Sequence, residues 1–494
     1  MRLSWTPPFS LPAVGFALGV VLTAVGATQL LPLALAFGFR ELEPARAFAL
    51  SSSLSMAAGV GLAWSLRRHA QDLRLREGFL VVTGGWIVAT ASGLLPFTLS
   101  RSLGLVDALF ETASGFTTTG ASVLGGPGRP RVEELPQSLL FWRSLTQWLG
   151  GMGIIVLSLA ILPVLGVGGM QLYKAEVPGP TPDKLTPRIR DTATRLWGIY
   201  LVLTAAQTLL LSLHPRVGLL EALQHAFTTM ATGGFSTRSA SIGAFESAYV
   251  EYVTILFMVL AGINFALHYR LLLGRVAAVA SDRELWAYGG IALLASGIVF
   301  IALLESAPSA EAAWRMALFQ VVSILTTTGY ATADYEAWPP LAIATLFLLF
   351  FVGGMAGSTG GGPKVVRLLI LFQNANREIR RLLHPRAVLP VRLGSRVISD
   401  EVLQHVLSFF TLYLGLCALS VLLLASTGVD LLTAIGSTIT CIGNVGPGFG
   451  EVGPAEHFAH LSDGAKLWLS ALMLVGRLEL FTVLVLFSRS FWKR

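Results

Sequence analysis

Only two cysteines occur in the 494 residues, Cys417 and Cys441, and both lie in apolar surroundings. Two thiols so placed provide neither a disulfide framework nor a metal-ligand cluster, which argues against redox and thiolate-metal chemistry. Charge is scarce as well: Asp, Glu, Lys and Arg make up 13% of the chain, against 54% hydrophobic residues. The long apolar runs hold almost no titratable groups, so the clustered acids, bases and nucleophiles of an intramembrane enzyme are missing. No catalytic residue and no covalently bound cofactor are expected. What remains is a mean hydropathy of +0.69, which belongs to an integral membrane protein.

The first apolar run, Leu11 to Phe39, exceeds the core of a signal peptide and is read as a retained helix. Windows of about 20 apolar residues predict spans near 11–39, 47–66, 78–98, 137–165, 195–213, 249–273, 286–304, 341–356, 404–425 and 466–488. The span at 341 runs into "GGMAGSTGGGPKVVRLLILF" and reads as one helix broken by glycine and resumed. With the N-terminus in the cytoplasm, Lys and Arg concentrate on the inner side, from Arg67 to Arg76, Lys174 to Arg195, Arg270 to Arg283, Lys364 to Arg396, and at the C-terminus with Arg489, Lys493 and Arg494. The positive-inside rule selects this orientation, with both termini cytoplasmic. The net charge of +7 is thus a topology signal, and no nucleic-acid partner is needed to explain it.

Four segments too polar for lipid and too apolar for ordinary loops fall on the outer side. "VDALFETASGFTTTGAS" (106–122), "LEALQHAFTTMATGGFS" (220–236), "RMALFQVVSILTTTGYA" (315–331) and "LTAIGSTITCIGNVGPG" (432–448) align without gaps. An alanine column holds Ala108, Ala222, Ala317 and Ala434; a hydroxyl column holds Ser114, Thr228, Ser323 and Thr440. The segments end on Gly120, Gly234, Gly329 and Gly446, with Thr118, Thr232, Thr327 or Asn444 two positions earlier. Amphipathic surface segments would explain the alanine and hydroxyl columns as packing, but not a glycine in each polar tip.

Non-helical backbone at membrane depth is tolerated only where protein buries it or where it lines a watery cavity. A repeated unit of helix, half-membrane pore helix, re-entrant loop and helix supplies such a cavity when four loops surround one axis. Stripping water from a cation costs on the order of tens of kcal/mol in a low dielectric, and rings of backbone carbonyls replace that water. Glycine allows the positive φ that turns a carbonyl inward, and pore-helix C-termini aim their negative dipole ends at the ion. The expected fold is therefore all-α integral membrane, with four pseudo-symmetric helix–pore loop–helix repeats around a central ion pathway and two extra N-terminal transmembrane helices. The corresponding units are 1–70 (the N-terminal two-helix extension), 71–172, 173–280, 281–385 (with the glycine-rich intramembrane loop) and 386–494.

The strings "FWRSLTQWLGGMGIIVLSLAILP" (141–163), "FMVLAGINFALHY" (257–269), "FVGGMAGSTGGGPKVVR" (351–367), "GNVGPGFG" (443–450) and "LVGRLELFTVLVLF" (474–487) extend the pattern over nearly the whole chain. Together they resemble the Trk/Ktr/HKT superfamily of potassium transporters, most closely its TrkH branch, which shares the two extra N-terminal helices. The resemblance implies a potassium filter at Thr118, Thr119, Gly120, Thr232, Gly233, Gly234, Thr327, Thr328, Gly329, Asn444, Val445 and Gly446, with K+ as the transported ion and the only metal. In the superfamily a serine at the first filter glycine goes with sodium permeation, so Gly120 points to potassium. Asn444 and Pro447 set the fourth loop apart from the other three.

The same resemblance makes Gly357, Ser358, Thr359, Gly360, Gly361, Gly362 and Lys364 an unwound intramembrane gate loop, with Arg477 beneath the filter as an electrostatic barrier. A phosphate-loop reading of "GSTGGGPK" fails, because Pro363 precedes the lysine and Val365 stands where Ser or Thr would hold magnesium. A glycine kink for helix packing is the plain alternative. An intramembrane arginine is functional by default, though it could also pair structurally with a carboxylate elsewhere; Glu479, two residues on, projects to a different face. His457 and His460 read as solvated loop residues rather than a metal site. The basic run from Lys364 to Arg396 suits anionic membrane lipid. By resemblance, the partners are a second copy in a homodimer and a cytoplasmic nucleotide-binding regulator of the RCK type, similar to TrkA. The expected function is potassium uptake across the bacterial inner membrane. A KdpA-like pore subunit of a potassium-pumping ATPase and a less selective sodium/potassium transporter are the alternatives.

Overall fold

The computed structural model describes residues 10–69, 73, 75–153, 189–387, 389–394 and 396–492. Helices dominate it, and among the described residues the only strand pairing is the two-residue ladder of Arg392–Leu393 with Arg396–Val397. Among the described residues, six helical segments are long and apolar enough to cross a membrane, or eight if each of two sharply bent pairs counts as one span. Their outward faces are greasy: Arg283–Leu303 exposes Leu293, Leu294 and Ile301, a surface that only lipid or another apolar face can cover.

The N-terminal helices pack by small residues and buried hydroxyls, as expected where lipid offers no hydrophobic drive between helices. Leu11–Thr28 lies so close to Leu42–Leu66 that a methyl on Gly19 would stand 2.7 Å from the Ala63 nitrogen. Gln29 ties three helices together. It accepts from the Ser51 hydroxyl at 2.6 Å and donates to Ser92 on Leu75–Gly93, at 3.3 Å to the carbonyl and 3.2 Å to the hydroxyl.

Three expected spans take a different form. The span at 249–273 is two helices, Ala248–Gly262 and Phe265–Leu272, bent by 97°, and that at 466–488 breaks into Asp463–Arg477 and Phe481–Phe487 at 109°. The first break has a visible reason. The Gly262 carbonyl accepts from Met355 N–H and the Phe265 N–H donates to the Gly357 carbonyl, both at 3.0 Å, so backbone groups freed from the helix bond the glycine-rich segment instead. Asn264 caps the second helix through its side chain. At the second break Glu479 and Leu480 adopt positive φ. The span at 341–356 is helical only over Pro340–Leu349, and a loop leads from there to the helix Val365–Leu383. The span at 137–165 is described as Gln137–Met152 and Gly153; its remainder, the boundary at 172, the basic segment from Lys174 to 188, and Lys493 and Arg494 lie outside the described residues.

Candidate functional site

Four short helices, Leu105–Phe116, Leu219–Met230, Ala310–Leu325 and Leu431–Gly443, carry the aligned segments. Their alanines Ala108, Ala222, Ala317 and Ala434 are fully buried, which accounts for a residue with no side chain beyond Cβ in that column. Each helix ends the same way. Thr119, Gly233, Thr328 and Val445 donate their N–H to the carbonyl five residues back, at Ser114, Thr228, Ser323 and Thr440, over 2.8–3.0 Å. This bond closes a Schellman-type helix end, which needs a left-handed residue just before the donor. Thr118, Thr232, Thr327 and Asn444 fill that position with φ of 53°, 53°, 60° and 53°. Asparagine tolerates it, but a β-branched threonine there is strained by about 1–3 kcal/mol.

The hydroxyl column thus works chiefly through its backbone. Its side chains differ in what they hold. Ser323 donates to the Tyr330 carbonyl at 2.6 Å and Thr228 bonds the Tyr330 hydroxyl at 2.5 Å, whereas Ser114 and Thr440 hydroxyls meet no partner among the described residues.

The glycines follow two positions later, again with positive φ: Gly120 at 84°, Gly234 at 75°, Gly329 at 79° and Gly446 at 112°. Each lies against the next loop in a constant register. A methyl on Gly120 would overlap the Gly233 carbonyl oxygen, one on Gly234 that of Thr328, and one on Gly329 that of Val445. The circle closes where a methyl on Gly446 would stand 2.8 Å from the Thr119 oxygen. All four glycines also line one cavity of about 390 Å³, walled by the loops that follow them. The carbonyls of the four glycines and of Thr118, Thr232, Thr327 and Asn444 accept no hydrogen bond from any described residue. Oxygen dipoles in that condition need a cation or water as partner.

Side chains outside the loops hold the ring. Gln147 donates to the Gly233 carbonyl at 2.6 Å and accepts from Phe235 N–H at 3.1 Å. Asn444 donates to Thr119 Oγ1 at 2.9 Å and to the Met473 carbonyl at 3.0 Å, joining the fourth loop to the first. Arg143 and Glu111 form a buried pair at 2.6 Å; Arg143 also donates to the Ser236 carbonyl and Glu111 accepts from Ser122 and Val123. In the first turn of Leu105–Phe116, burial opposes ionisation of Asp107, but Arg129 and Lys466 outweigh it and hold the carboxyl below its usual value.

The glycine-rich loop meets the ring from the side of the pore-helix ends. Thr359 donates to the Met230 carbonyl at 2.9 Å and Gly361 N–H donates to Thr327 Oγ1 at 2.7 Å. Methyls on Gly360 and Gly361 would stand 3.0 Å from the Thr326 oxygen and 2.5 Å from the Gly443 oxygen. Lys364 is buried and its ammonium donates to the Gly360 carbonyl. Ser358 donates to Met355 within the loop, while Gly357 and Gly362 supply left-handed turns. Arg477 spans the floor, donating to the Thr359 carbonyl at 2.8 Å, to Gly150 at 2.7 Å and to Gly151 at 3.1 Å. Glu479 pairs with Arg367. His457 is half-buried, and His460 lies 3.3 Å from Glu451.

Sequence reasoning missed Gln147, the Arg143–Glu111 pair and Glu284, whose carboxylate bonds the loop's amides. Gln147 and Arg143 stand in Gln137–Met152, where a polar cluster inside an expected membrane span is the signal; Glu284 is hidden in a helix start that acidic residues ordinarily occupy.

Apolar helices enclosing a ring of four strained loops, closed on one side by a fifth, define a helical membrane transport protein. Residues 45–283 and 299–494 match the TrkH family, described as a cation transport protein. The chain belongs to that family. It is 43% identical over 487 residues to the Trk system potassium uptake protein TrkH of Salmonella typhimurium, covering 97% of this chain and 99% of the relative. Over 474 residues it is 37% identical to the Trk system potassium uptake protein TrkG of Escherichia coli, covering 94% and 95%. The crystal structure of the potassium transporter TrkH from Vibrio parahaemolyticus superposes with a TM-score of 0.87 at 38% identity, covering 98% of this chain and all of that one.

Proposed function

We propose that this chain takes up potassium across the bacterial plasma membrane through a filter formed by the four loops. The observation that carries the reading is the constant register in which Gly120, Gly234, Gly329 and Gly446 each abut the next loop while facing one cavity. The chain divides into a two-helix extension over 1–70 and four pore units over 71–172, 173–280, 281–385 and 386–494, with both termini cytoplasmic. Potassium sheds its water at the ring, where carbonyls without protein donors replace it. The loop from Gly357 to Lys364, pinned by Arg477, is the gate; displacing it opens the path beneath the filter. The unit works as a homodimer, and a cytoplasmic nucleotide-binding subunit of the RCK type, similar to TrkA, moves the gate from the basic inner face.

The test is rubidium-86 uptake into liposomes carrying the purified chain, with potassium or sodium as competitor, comparing wild type with Gly120→Ser. Block by potassium and not by sodium, with weaker discrimination in the variant, is the expected result. Equal block by both ions in the wild type overturns the potassium filter.

A further inference from the structure

Glu284 lies in the first turn of Arg283–Leu303, is 8% exposed, and takes no part in the filter or in the pinning by Arg477. Its Oε1 accepts the N–H of Ala356 at 2.8 Å and the N–H of Val366 at 3.2 Å. Those two amides stand on either side of the whole glycine-rich segment, and the Val365 N–H to Gly354 carbonyl bond, 3.1 Å, closes the same neck. One carboxylate oxygen therefore holds both ends of a loop whose tip rests on the ring. The Val366 amide belongs to the first turn of Val365–Leu383, where donors lack intrahelical partners and negative charge is favoured. Asp282 caps the Glu284 helix itself, bonding Leu285 N–H at 3.0 Å, which leaves Glu284 free for the loop.

We propose that Glu284 is a positioning residue for the gate. Its grip on both roots keeps Thr359, Gly360 and Gly361 seated against the pore-helix ends, and ion flow follows release of one root. The proposal rests on reading the glycine-rich loop as the gate. The tip contacts with Thr327 and Arg477 fix where the closed loop sits; the root contact sets how often it leaves.

Rubidium-86 uptake into liposomes by the full chain tests it, using Glu284→Ala, Glu284→Gln and, separately, Gly360→Ala. Losing the two hydrogen bonds that the Glu284 side chain accepts should raise initial uptake in Glu284→Ala by about tenfold, with the potassium-over-sodium competition ratio unchanged. Glu284→Gln keeps an acceptor oxygen without the charge and should fall between Ala and wild type. In a Ser358→Cys background, a thiol reagent should label the loop faster when Glu284 is Ala, since Cys417 and Cys441 are buried. Wild-type uptake and labelling in folded Glu284→Ala, with Gly360→Ala altered, overturns the clasp and leaves the gate standing. No change in any variant overturns both. If Glu284→Ala does not fold, Glu284→Gln decides: raised uptake at constant selectivity supports the clasp, and wild-type uptake refutes it.

Discussion

Replacing Gly329 by alanine adds one methyl to a backbone held at φ 79°, and that methyl would overlap the Val445 carbonyl oxygen, well inside the 3.0 Å that real Cβ atoms keep. The fourth loop would have to retreat by on the order of 1 Å, in an interior packed too tightly to absorb such a shift for free. The left-handed backbone adds about 1–2 kcal/mol for any residue with a Cβ. An ion site that distinguishes cations by oxygen spacing loses about tenfold in preference for each 1.4 kcal/mol of misfit. Potassium and sodium competition against rubidium-86 uptake should therefore show the preference of Gly329→Ala reduced by about tenfold or more. Gly234→Ala and Gly120→Ala, at similar φ but with shallower overlap, should follow in that order. A correctly folded Gly329→Ala with wild-type uptake and selectivity would refute the idea that ions pass the ring.

Arg477→Ala removes the donor to Thr359, Gly150 and Gly151; uptake should rise by about tenfold with selectivity intact, read in the same liposomes, and unchanged flux would argue against the floor being the gate. Arg143→Met leaves Glu111 buried without its counter-ion, at a cost of about 3–5 kcal/mol. Thermal unfolding in detergent should show that loss, and Arg143→Met with Glu111→Leu should recover part of it. Asp107, held below its usual value despite burial, contributes stability above its unfolded pKa that is lost as pH falls through the lower folded value. Unfolding temperature measured from pH 6 downward should drop more steeply in wild type than in Asp107→Asn.

The alignment of four segments found the glycines and the residues two before them because both positions require backbone that few side chains accept, and such a demand leaves a mark on residue choice. The hydroxyl column is less informative, because the bond shared by all four positions is made by a carbonyl that every residue has. Hydropathy located the membrane segments yet could not see the bends at Ile263 and Leu480. Both flanks of the bend at Ile263 are apolar, and the groups that stabilise that break come from Met355 and Gly357, far along the chain. Arg477 was visible as a charge in grease, but its three carbonyl partners arise from the meeting of separate elements. Glu284 was invisible for the opposite reason, since an acid in a helix's first turn is ordinary until a distant loop is found bonded to it.

The glycines of the ring do not belong to their own loops alone. The space that Gly120 leaves empty is occupied by an oxygen of the second loop, and so on around to the fourth, whose Gly446 makes room for the first. A side chain acquired at one glycine is thus felt first as a displaced oxygen in the neighbouring copy. Change at any one of these four glycines is therefore tied to change in the loop beside it. The link from the fourth loop to the first has the widest clearance and the added tether of Asn444 to Thr119. It is where the ring has most room to depart from symmetry, and the fourth loop is the one whose sequence does.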